Sequence, residues 1–292
     1  MSSDILKAII KSVPADFASP SADYQVVRET MTPFHGHPTS ADLSIDLQAY
    51  EGVRCGWHSL PHHNRDGLVA LHYHGGAFVS CNLDAYHFYG ELICRALDIP
   101  VVLPDYRLAP EHPYPAAHDD CFNAYRGLLE AGIRPEQIVV LGESCGGALA
   151  LATLIRARDD DLPMPACFVS VTGWFDLSVS DYPAIRDPFL TPEWVQNRAR
   201  DYSQGQLALD DPKLSPCFAE LRGLPPLYLQ VGEHDTMAPG ALELAKNATL
   251  SGVEVTVESW PGMIHGWHGL LNAGVPEAEE AWARIKAFIR GL

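Results

Sequence analysis

The sequence has no cluster of lysine and arginine, and its 37 acidic residues outnumber its 20 basic ones, for a formal net charge of −17. Because a phosphate backbone is held by clustered basic side chains, we expect no nucleic acid partner. The charge also disfavours strongly anionic substrates and anionic membrane surfaces. The sequence has no apolar run of membrane-spanning length and no secretory pattern at its start. These absences predict a soluble cytoplasmic protein with no stable membrane anchoring.

Disulfide and zinc frameworks are missing as well. The seven cysteines are scattered, odd in number and never spaced Cys-x-x-Cys, which is typical of free buried thiols in a reducing compartment. No internal repeat or low-complexity segment is visible. Apolar residues make up 47% and charged residues 20% of the 292 positions, which is the composition of a globular protein with ample material for a core.

Short β-like runs alternate with helical patterns from about residue 43 onward. Strands are predicted at 43–47, 53–57, 68–74, 100–103, 138–141, 166–171, 226–231 and 253–257. Helices are predicted at 84–96, 116–130, 148–157, 241–250 and 278–289. Strands that alternate with crossover helices predict an α/β protein with a mostly parallel, doubly wound eight-stranded sheet, whose ligands bind at the carboxyl ends of the strands.

Two segments do not follow this alternation. Residues 1 to about 40 carry two short helical patterns, at 5–13 and 24–31, and residues 178–215 form an insertion rich in Asp, Pro and aromatic residues. An insertion at the carboxyl edge of a sheet is expected to lie over the active site. We interpret the two segments as one helical cap on a single domain that spans residues 1–292.

The most informative motif is Gly-Glu-Ser-Cys-Gly at 142–146, which lies where the strand at 138–141 gives way to an Ala- and Leu-rich helix. A serine on a sharp strand-to-helix turn has crowded backbone torsions, so its neighbours must be small and its hydroxyl projects above the sheet. The helix that follows directs its unpaired N–H groups and positive dipole end at the same place. Ser144 is therefore the predicted nucleophile.

A serine nucleophile needs a base, and an acid to orient the base, in the chain order Ser, Asp or Glu, His. His265 lies between two glycines after the last strand and is the predicted base; His268, one turn onward, is its competitor and is expected at the surface. Asp235 and Glu233 both follow the preceding strand, and either carboxylate is a candidate acid. We favour Asp235, although an Asp before a helix is also commonly an N-cap.

A Gly-Gly-Ala turn at 75–77 ends the third strand. Consecutive small residues allow backbone N–H groups to turn toward one point. The N–H groups of Gly76 and Ala77, with Gly75 shaping the turn, are therefore the predicted oxyanion donors, together with the Cys145 N–H.

His72 and His74 share one face of the same strand, so a metal pair is conceivable there. No third ligand is apparent in the sequence, and we expect His74 to brace the loop instead of binding a metal. The predicted chemistry requires neither a metal nor a cofactor.

Three motifs, in this order, resemble those of the hormone-sensitive-lipase-like group of α/β-hydrolases, the bacterial carboxylesterase and lipase family IV. They are His-Gly-Gly-Ala-Phe at 74–78, Asp-Tyr-Arg-Leu-Ala-Pro-Glu-His-Pro-Tyr-Pro-Ala-Ala at 105–117 and Gly-Glu-Ser-Cys-Gly-Gly at 142–147. The resemblance covers nearly the whole chain and implies an α/β-hydrolase fold. By that likeness, the site residues are the triad Ser144, Asp235 and His265 and the oxyanion region of Gly75, Gly76, Ala77 and Cys145.

Two positions depart from the family pattern. Ala77 replaces the third glycine of the oxyanion loop; it keeps an N–H but narrows the space beside the acyl group. Cys145 replaces the usual alanine, and we interpret it as a buried thiol, with a second nucleophile as the alternative.

Aromatic residues fall on segments expected at the mouth of the site rather than on helix faces, which favours an apolar substrate cleft. The six predicted substrate-binding residues are Phe78, Trp174, Phe175, Trp194, Tyr202 and Trp267. Below the catalytic loops, Asp105, Arg107 and Glu111 are expected to form an internal ion-pair set.

Together these features predict a serine carboxylic-ester hydrolase that acts on neutral, fairly apolar esters of short to medium chain length through an acyl-enzyme. Two alternatives stay open: a lactone or amide hydrolase on the same triad, and a non-catalytic small-ligand receptor, such as the gibberellin receptors that resemble this family. Because such receptors have lost the histidine, the intact His265 favours the enzyme. The predicted partner is a small-molecule ester, and the strand at 253–257 offers an edge for a homodimer.

Overall fold

Eight strands form the sheet that organises the chain. The computed structural model describes residues 2–13, 19, 23–35, 37–64, 66–179, 185 and 187–292. The strands are β1 Ser44–Tyr50, β2 Val53–Ser59, β3 Val69–Tyr73, β4 Val101–Pro104, β5 Ile138–Glu143, β6 Cys167–Val171, β7 Leu227–Gly232 and β8 Val255–Trp260. They lie in the order β1-β2-β4-β3-β5-β6-β7-β8. Only the β1–β2 and β2–β4 pairs of this sheet are antiparallel, which confirms the predicted mostly parallel sheet.

Helices cover both faces of this sheet. One face carries α4 Ala116–Glu130, α5 Cys145–Asp159 and α7 Ala238–Leu250, and the other carries α3 Leu83–Ile93 and α8 Pro276–Arg290. Along β5, Ile138 and Val140 belong to the first core and Val139 and Leu141 to the second. Successive side chains of a strand point to opposite faces, so a continuous apolar run serves two cores at once.

Burial separates the central strands from the outer ones. Every residue of β3 through β7 is buried, whereas β1 and β8 at the two ends of the sheet consist of exposed and half-buried positions except for the last residue of each. Full burial of a large aliphatic side chain stabilises the folded state by about 1.5–3 kcal/mol, so the central strands carry most of the sheet's hydrophobic stabilisation. The parallel strands β3, β5, β7 and β8 end at one edge of the sheet, and their loops meet there.

In their described residues, the two segments outside the alternation contain three helices, α1 Asp4–Ser12, α2 Tyr24–His35 and α6 Pro192–Ser203. The sequence patterns at 5–13 and 24–31 thus correspond to α1 and α2. The helix α6 begins after Thr191, whose hydroxyl oxygen accepts the Trp194 N–H at 3.2 Å, and it ends at Gln204, which has a left-handed backbone. Residues 1, 14–18, 20–22, 36, 180–184 and 186 of the expected cap lie outside the described residues. Among the helices that the structure describes, none has the length and apolar character needed to cross a membrane.

Candidate active site

The turn that carries the predicted nucleophile joins β5 to α5. Ser144 has φ +52° and ψ −127°, a strained backbone conformation for an L-residue. A Cβ at position 146 would lie 2.0 Å from the Tyr73 carbonyl oxygen, and one at position 142 would lie 2.6 Å from the Gly146 carbonyl oxygen. Close backbone packing therefore requires glycine at both positions, and this packing holds Ser144 at the edge of the sheet.

The Ser144 side chain faces a cavity at this edge. Its hydroxyl donates to Met237 Sδ at 3.9 Å, a contact that nothing in the sequence indicated. Ser144 also directly precedes α5, whose N-terminal N–H groups and dipole favour negative charge at this point. The setting suits a serine whose reaction develops an oxyanion.

His265 enters the same cavity from the loop after β8. The neighbouring Gly262 and Gly266 have φ values of +74° and +67°, a conformation that glycine adopts without steric cost. The His265 Nδ1–H donates to Asp235 Oδ1 at 2.9 Å. The Asp235 side chain is fully buried, so this bond is shielded from water and fixes which ring nitrogen carries the proton.

Glu233, the other candidate acid, lies elsewhere. It is exposed, and its Oε2 accepts the Gly262 N–H at 2.7 Å. The structure therefore brings Asp235, and not Glu233, to His265. Asp235 Oδ1 also accepts the Met237 N–H at 2.9 Å, so the carboxylate orients the histidine and the start of the following helix together.

Opposing effects set the pKa of His265. Burial by itself lowers the pKa, because it disfavours the charged imidazolium. The Asp235 carboxylate, with weaker contributions from Asp187 and Glu143, outweighs burial and holds the pKa above its ordinary value. The site thus stabilises the cation that forms when His265 takes a proton.

The predicted oxyanion turn has the required backbone geometry. Gly76 and Ala77 both have positive φ, +110° and +53°. The Gly76 carbonyl oxygen accepts the backbone N–H groups of Val79 and Ser80 at 3.1 and 3.0 Å, which closes the turn. Within the described chain, the N–H groups of Gly76, Ala77 and Cys145 donate to no backbone carbonyl. No backbone carbonyl of the described residues therefore competes for these donors, although the Ala77 N–H also contacts the Cys145 thiol.

The cavity between these loops has a volume of about 500 Å³. Its floor is formed by the strand-end loops, with Ser144, His265, Gly76 and Ala77 among the lining residues. Its roof is formed by residues of α1, α2 and the segment 189–194, which include Ile9, Met31, Phe189, Leu190 and Trp194. Both segments that the sequence set apart thus contribute side chains to the same cavity.

Comparison with known proteins agrees with this geometry. A family model described as the alpha/beta hydrolase fold matches residues 70–269. An esterase of Acinetobacter venetianus is 30% identical over 99% of this chain and 94% of its own length. The carboxylesterase NlhH of Mycobacterium tuberculosis is 32% identical over 98% of this chain and 94% of its own length. A solved esterase from the bacterial hormone-sensitive lipase family superposes with a TM-score of 0.91 at 32% identity, covering 100% of this chain and 99% of that one.

The chain belongs to the hormone-sensitive-lipase-like group of α/β-hydrolases. It is a carboxylesterase, as the named esterase relatives and the shared fold over the whole chain show.

In this esterase Cys145 follows Ser144, and its thiol contacts the backbone of the turn at 75–78. The residue is fully buried, and burial raises the pKa of its thiol to about 12. Its Sγ accepts the Phe78 N–H at 3.2 Å, on the far side of the oxyanion turn. A thiol that stays protonated and hydrogen-bonded is a poor nucleophile at neutral pH, so the geometry supports the buried-thiol interpretation.

Glu143 is a site residue that sequence reasoning missed. It lines the cavity next to Ser144, and the Tyr86 hydroxyl donates to its Oε2 at 3.2 Å. Burial raises the pKa of Glu143 to about 7, while the nearby His265 and the Gly75 N–H act in the opposite direction. The available signal was a charged residue inside the Gly-x-Ser-x-Gly motif, on a strand whose other residues are apolar.

The prediction for the aromatic residues needs correction. Trp194 lines the cavity, but the other five are core residues at 0% exposure: Phe78, Trp174, Phe175, Tyr202 and Trp267. Phe78 stacks on Tyr202 with ring centres 4.0 Å apart, and it also contacts Trp174. Phe78, Trp174, Phe175 and Tyr202 belong to one hydrophobic core cluster and Trp267 to another, where their large apolar surfaces are removed from water.

The histidines near the site are mostly structural. His74 stacks on Tyr106 with ring centres 4.1 Å apart, which fits a brace for the loop. His72 is fully buried, and burial lowers its pKa to about 3. His268, expected at the surface, is instead buried, and its Nε2 pairs with Gln230 Oε1 at 2.7 Å. That residue sits in the core because its ring packs against an adjacent tryptophan.

Among the described residues, one group has metal-ligand atoms close together: His62, His63 and Asp98. The His63 Nδ1 accepts the Leu60 N–H at 3.2 Å, so a neutral His63 carries its proton on Nε2, the atom that faces Asp98. Arg290 also contacts Asp98, at 3.2 Å. None of these three residues lines the cavity, and the basic side chain of Arg290 gives the group the character of an ion-pair cluster.

Proposed function

We propose that this carboxylesterase hydrolyses neutral, fairly apolar esters of short to medium chain length through a covalent acyl-serine intermediate. The observation that carries the proposal is the buried bond from His265 to Asp235 in the cavity that also contains the Ser144 hydroxyl. A hydroxyl, an imidazole and a carboxylate in that order are the groups that acyl transfer from an ester requires.

In the first step, the Ser144 hydroxyl turns from Met237 toward His265 Nε2 when an ester occupies the cavity. Catalytic hydrogen bonds are often unformed without substrate and tighten in the complex. Ser144 Oγ attacks the ester carbonyl carbon, and His265 Nε2 takes the serine proton. Asp235 holds the imidazole in the tautomer that accepts at Nε2 and stabilises the imidazolium that results.

The carbonyl oxygen becomes an oxyanion as the tetrahedral intermediate forms. The N–H groups of Gly76, Ala77 and Cys145 stabilise that charge, with support from the N-terminal dipole of α5. His265 then gives its proton to the alkoxide oxygen, and the alcohol leaves. In the second half-reaction, water attacks the acyl carbon while His265 Nε2 takes its proton. The tetrahedral intermediate then collapses, the bond from the acyl carbon to Ser144 Oγ breaks, His265 returns the proton to Ser144 Oγ, and the carboxylic acid leaves. No cofactor takes part in this sequence.

Substrate character follows from the cavity. Its roof is apolar, and its volume of about 500 Å³ suits an ester of moderate size. The buried carboxyl groups of Glu143 and Asp187 near His265 disfavour an anionic substrate. Both features support a neutral ester with an apolar acyl chain, held beneath a cap formed by segments 1–40 and 178–215 of a single 292-residue domain.

Replacing Ser144 with alanine tests the mechanism. Hydrolysis of p-nitrophenyl butyrate is expected to fall by on the order of 10⁶-fold in kcat, while the thermal unfolding transition stays near that of the parent protein. Ser259→Ala, at an exposed position of β8, is the matched control and should keep full activity. Turnover retained in Ser144→Ala would overturn the proposed nucleophile.

A comparison of substrates distinguishes an ester hydrolase from a lactone or amide hydrolase and from a non-catalytic receptor. Linear esters should be cleaved faster than lactones of equal size and faster than anilides. If a lactone or an anilide is cleaved faster than the linear ester, the proposed substrate class changes to lactones or amides, and the proposed triad stays the same. A non-catalytic receptor would give neither turnover nor a burst of p-nitrophenol, and the intact bond from His265 to Asp235 supports catalysis instead.

Compartment and assembly complete the proposal. The seven cysteines are all unpaired and buried, which supports a reducing, cytoplasmic environment. A homodimer formed through the outer edge of β8 remains part of the proposal, since this strand pairs with β7 on one side and exposes Val257. Light scattering during gel filtration measures the mass; a monomer at micromolar concentration would exclude that dimer.

A further inference from the structure

The turn at 235–237 contacts both His265 and Ser144, the proposed base and nucleophile. Asp235 accepts the His265 Nδ1–H at 2.9 Å, and Met237 accepts the Ser144 hydroxyl at 3.9 Å. Thr236 lies between them, is 4% exposed and takes no part in the proton transfers described above. A buried polar side chain at this point therefore needs its own explanation.

Thr236 is joined to the opposite wall of the cavity by two hydrogen bonds. Its hydroxyl donates to the Leu190 carbonyl oxygen, and its backbone N–H donates to Asp187 Oδ2 at 3.4 Å. Asp187 Oδ1 in turn accepts the N–H groups of Phe189 and Leu190 at 2.9 and 3.0 Å, which folds residues 187–190 into a tight turn. Phe189 and Leu190 both line the cavity.

We propose that Thr236 and Asp187 are positioning residues that fasten this wall to the turn carrying the catalytic acid, and that they thereby determine which acyl chains the esterase accepts. The inference rests on the proposed serine mechanism, because it assigns Asp235 as the acid. A wall fixed by side-chain bonds to the catalytic turn keeps one shape as substrates change. Because Phe189 and Leu190 line the cavity, we expect longer acyl chains, unlike an acetyl group, to contact that wall.

The charge of Asp187 gives the proposal a second readout. Burial, and then the nearby Asp235, raise the pKa of Asp187 to about 6. The ring of His265 is faced by Asp235, Asp187 and Glu143, and by His268 on the following turn. The Asp187 anion stabilises the protonated ring, so its removal must lower the pKa of His265.

The first test compares Thr236→Val with Thr236→Ser. Valine keeps the shape and the backbone N–H but loses the hydroxyl bond to Leu190. For Thr236→Val, kcat/KM for p-nitrophenyl hexanoate should fall about five- to tenfold, because KM rises. The kcat/KM of the same variant for p-nitrophenyl acetate should stay within about twofold of the parent value. Thr236→Ser should restore hexanoate turnover. The matched control is Thr249→Val, which removes a hydroxyl that donates to the Ala245 carbonyl oxygen at 2.8 Å, far from the cavity.

An unchanged ratio of hexanoate to acetate turnover in folded Thr236→Val would overturn the role of Thr236. An equal loss with both esters would also overturn it, because that result describes a general structural defect. If Thr236→Val does not fold, Thr236→Ser and the Asp187 variant decide the question.

The second test is Asp187→Asn, with Asp211→Asn as control. Asp211 Oδ1 accepts the Lys213 N–H at 2.9 Å in a comparable turn away from the cavity. In Asp187→Asn the acidic limb of the pH profile of kcat/KM should move to lower pH. The reason is that the pKa of His265 falls when the nearby carboxylate is removed, so the imidazole stays unprotonated to lower pH. The hexanoate-to-acetate ratio should fall as well, and Asp211→Asn should change neither.

An acidic limb that stays in place, or moves to higher pH, would overturn the assignment of Asp187. These outcomes are distinguishable from failure of the proposed function. If Ser144→Ala still turns over ester, the serine mechanism fails whatever the Thr236 variants do. If Ser144→Ala is inactive and the selectivity of Thr236→Val is unchanged, only the wall inference fails.

Discussion

The floor and the roof of the cavity are held in different ways. The floor, made of residues 75–78, 143–145, 235, 237 and 265, depends on backbone geometry: positive φ at Gly76, Ala77 and Ser144, and close approach of one main chain to another. The roof, made of α1, α2 and residues 187–194, depends on side chains that pack against elements distant in sequence. We therefore expect changes in the floor to affect the proposed chemistry, and changes in the roof to affect mainly the choice of substrate.

Changing the acid in the floor has the largest expected effect. In Asp235→Asn the amide favours the wrong tautomer of His265, so kcat for p-nitrophenyl butyrate should fall by about 10⁴-fold. Glu233→Gln is the control, because Glu233 contacts the Gly262 N–H and not the ring. Steady-state kinetics at pH 8 compares the two. A larger loss in Glu233→Gln would assign the other carboxylate as the acid.

The backbone packing of the floor can be broken without touching a reacting group. A Cβ at Gly146 would lie 2.0 Å from the Tyr73 carbonyl oxygen, so Gly146→Ala must displace the nucleophile turn. We expect a loss of stability of about 3 kcal/mol or more, measured by urea unfolding, with activity largely lost. Gly67→Ala meets only the Asn64 side chain at 3.5 Å and serves as control. Equal stability of the two variants would show that the turn is not tightly constrained.

The roof should respond in selectivity and not in chemistry. Met31→Trp on α2 fills part of the cavity, so kcat/KM for p-nitrophenyl octanoate should drop about tenfold while acetate stays within about threefold. Val26→Trp on the same helix, at a position 47% exposed, is the control and should change neither value. A uniform loss with all chain lengths in Met31→Trp would place this part of the roof in the catalytic step.

The smallest effect is expected at Cys145. Because burial holds its thiol protonated, Cys145→Ala should keep kcat within about threefold of the parent value, with a modest cost from the unpaired Phe78 N–H. Iodoacetamide at neutral pH should leave the activity of the native enzyme intact. If this reagent rapidly inactivates the native enzyme but not Cys145→Ala, the Cys145 thiol takes part in the reaction.

The sequence predicted the residues of the floor better than those of the roof. The residues of the floor lie in motifs whose spacing carries a backbone requirement, so the nucleophile turn, the Gly-Gly-Ala turn and His265 were found where the structure has them. The α/β alternation worked for the same reason, since apolar runs of strand length between helical patterns are local signals. The choice of Asp235 over Glu233 rested on one residue of spacing after β7.

Long-range contacts were beyond local reasoning. Asp105, Arg107 and Glu111 were expected to pair with one another, but they pair with Arg54, Asp120 and Arg28 respectively, which the fold brings from other elements. The buried aromatic residues were assigned to the cavity because a loop position does not reveal which way a ring points.

The helix α6 was overlooked, although its start carried a signal. Thr191 followed by Pro192 is a common helix N-terminus, and Trp194, Arg198 and Tyr202 recur every four residues on its buried side. The turn of Thr236 and Asp187 had no comparable signal, because its two halves are 49 residues apart in the chain.

The most direct test of the account is a crystal structure of the enzyme after reaction with a p-nitrophenyl alkylphosphonate. We expect one phosphorus bonded to Ser144 Oγ, with His265 Nε2 beside the phosphonate ester oxygen. The phosphoryl oxygen should lie about 2.7–3.1 Å from the N–H groups of Gly76, Ala77 and Cys145. An adduct on any other side chain, or a phosphoryl oxygen directed away from these three donors, would contradict it.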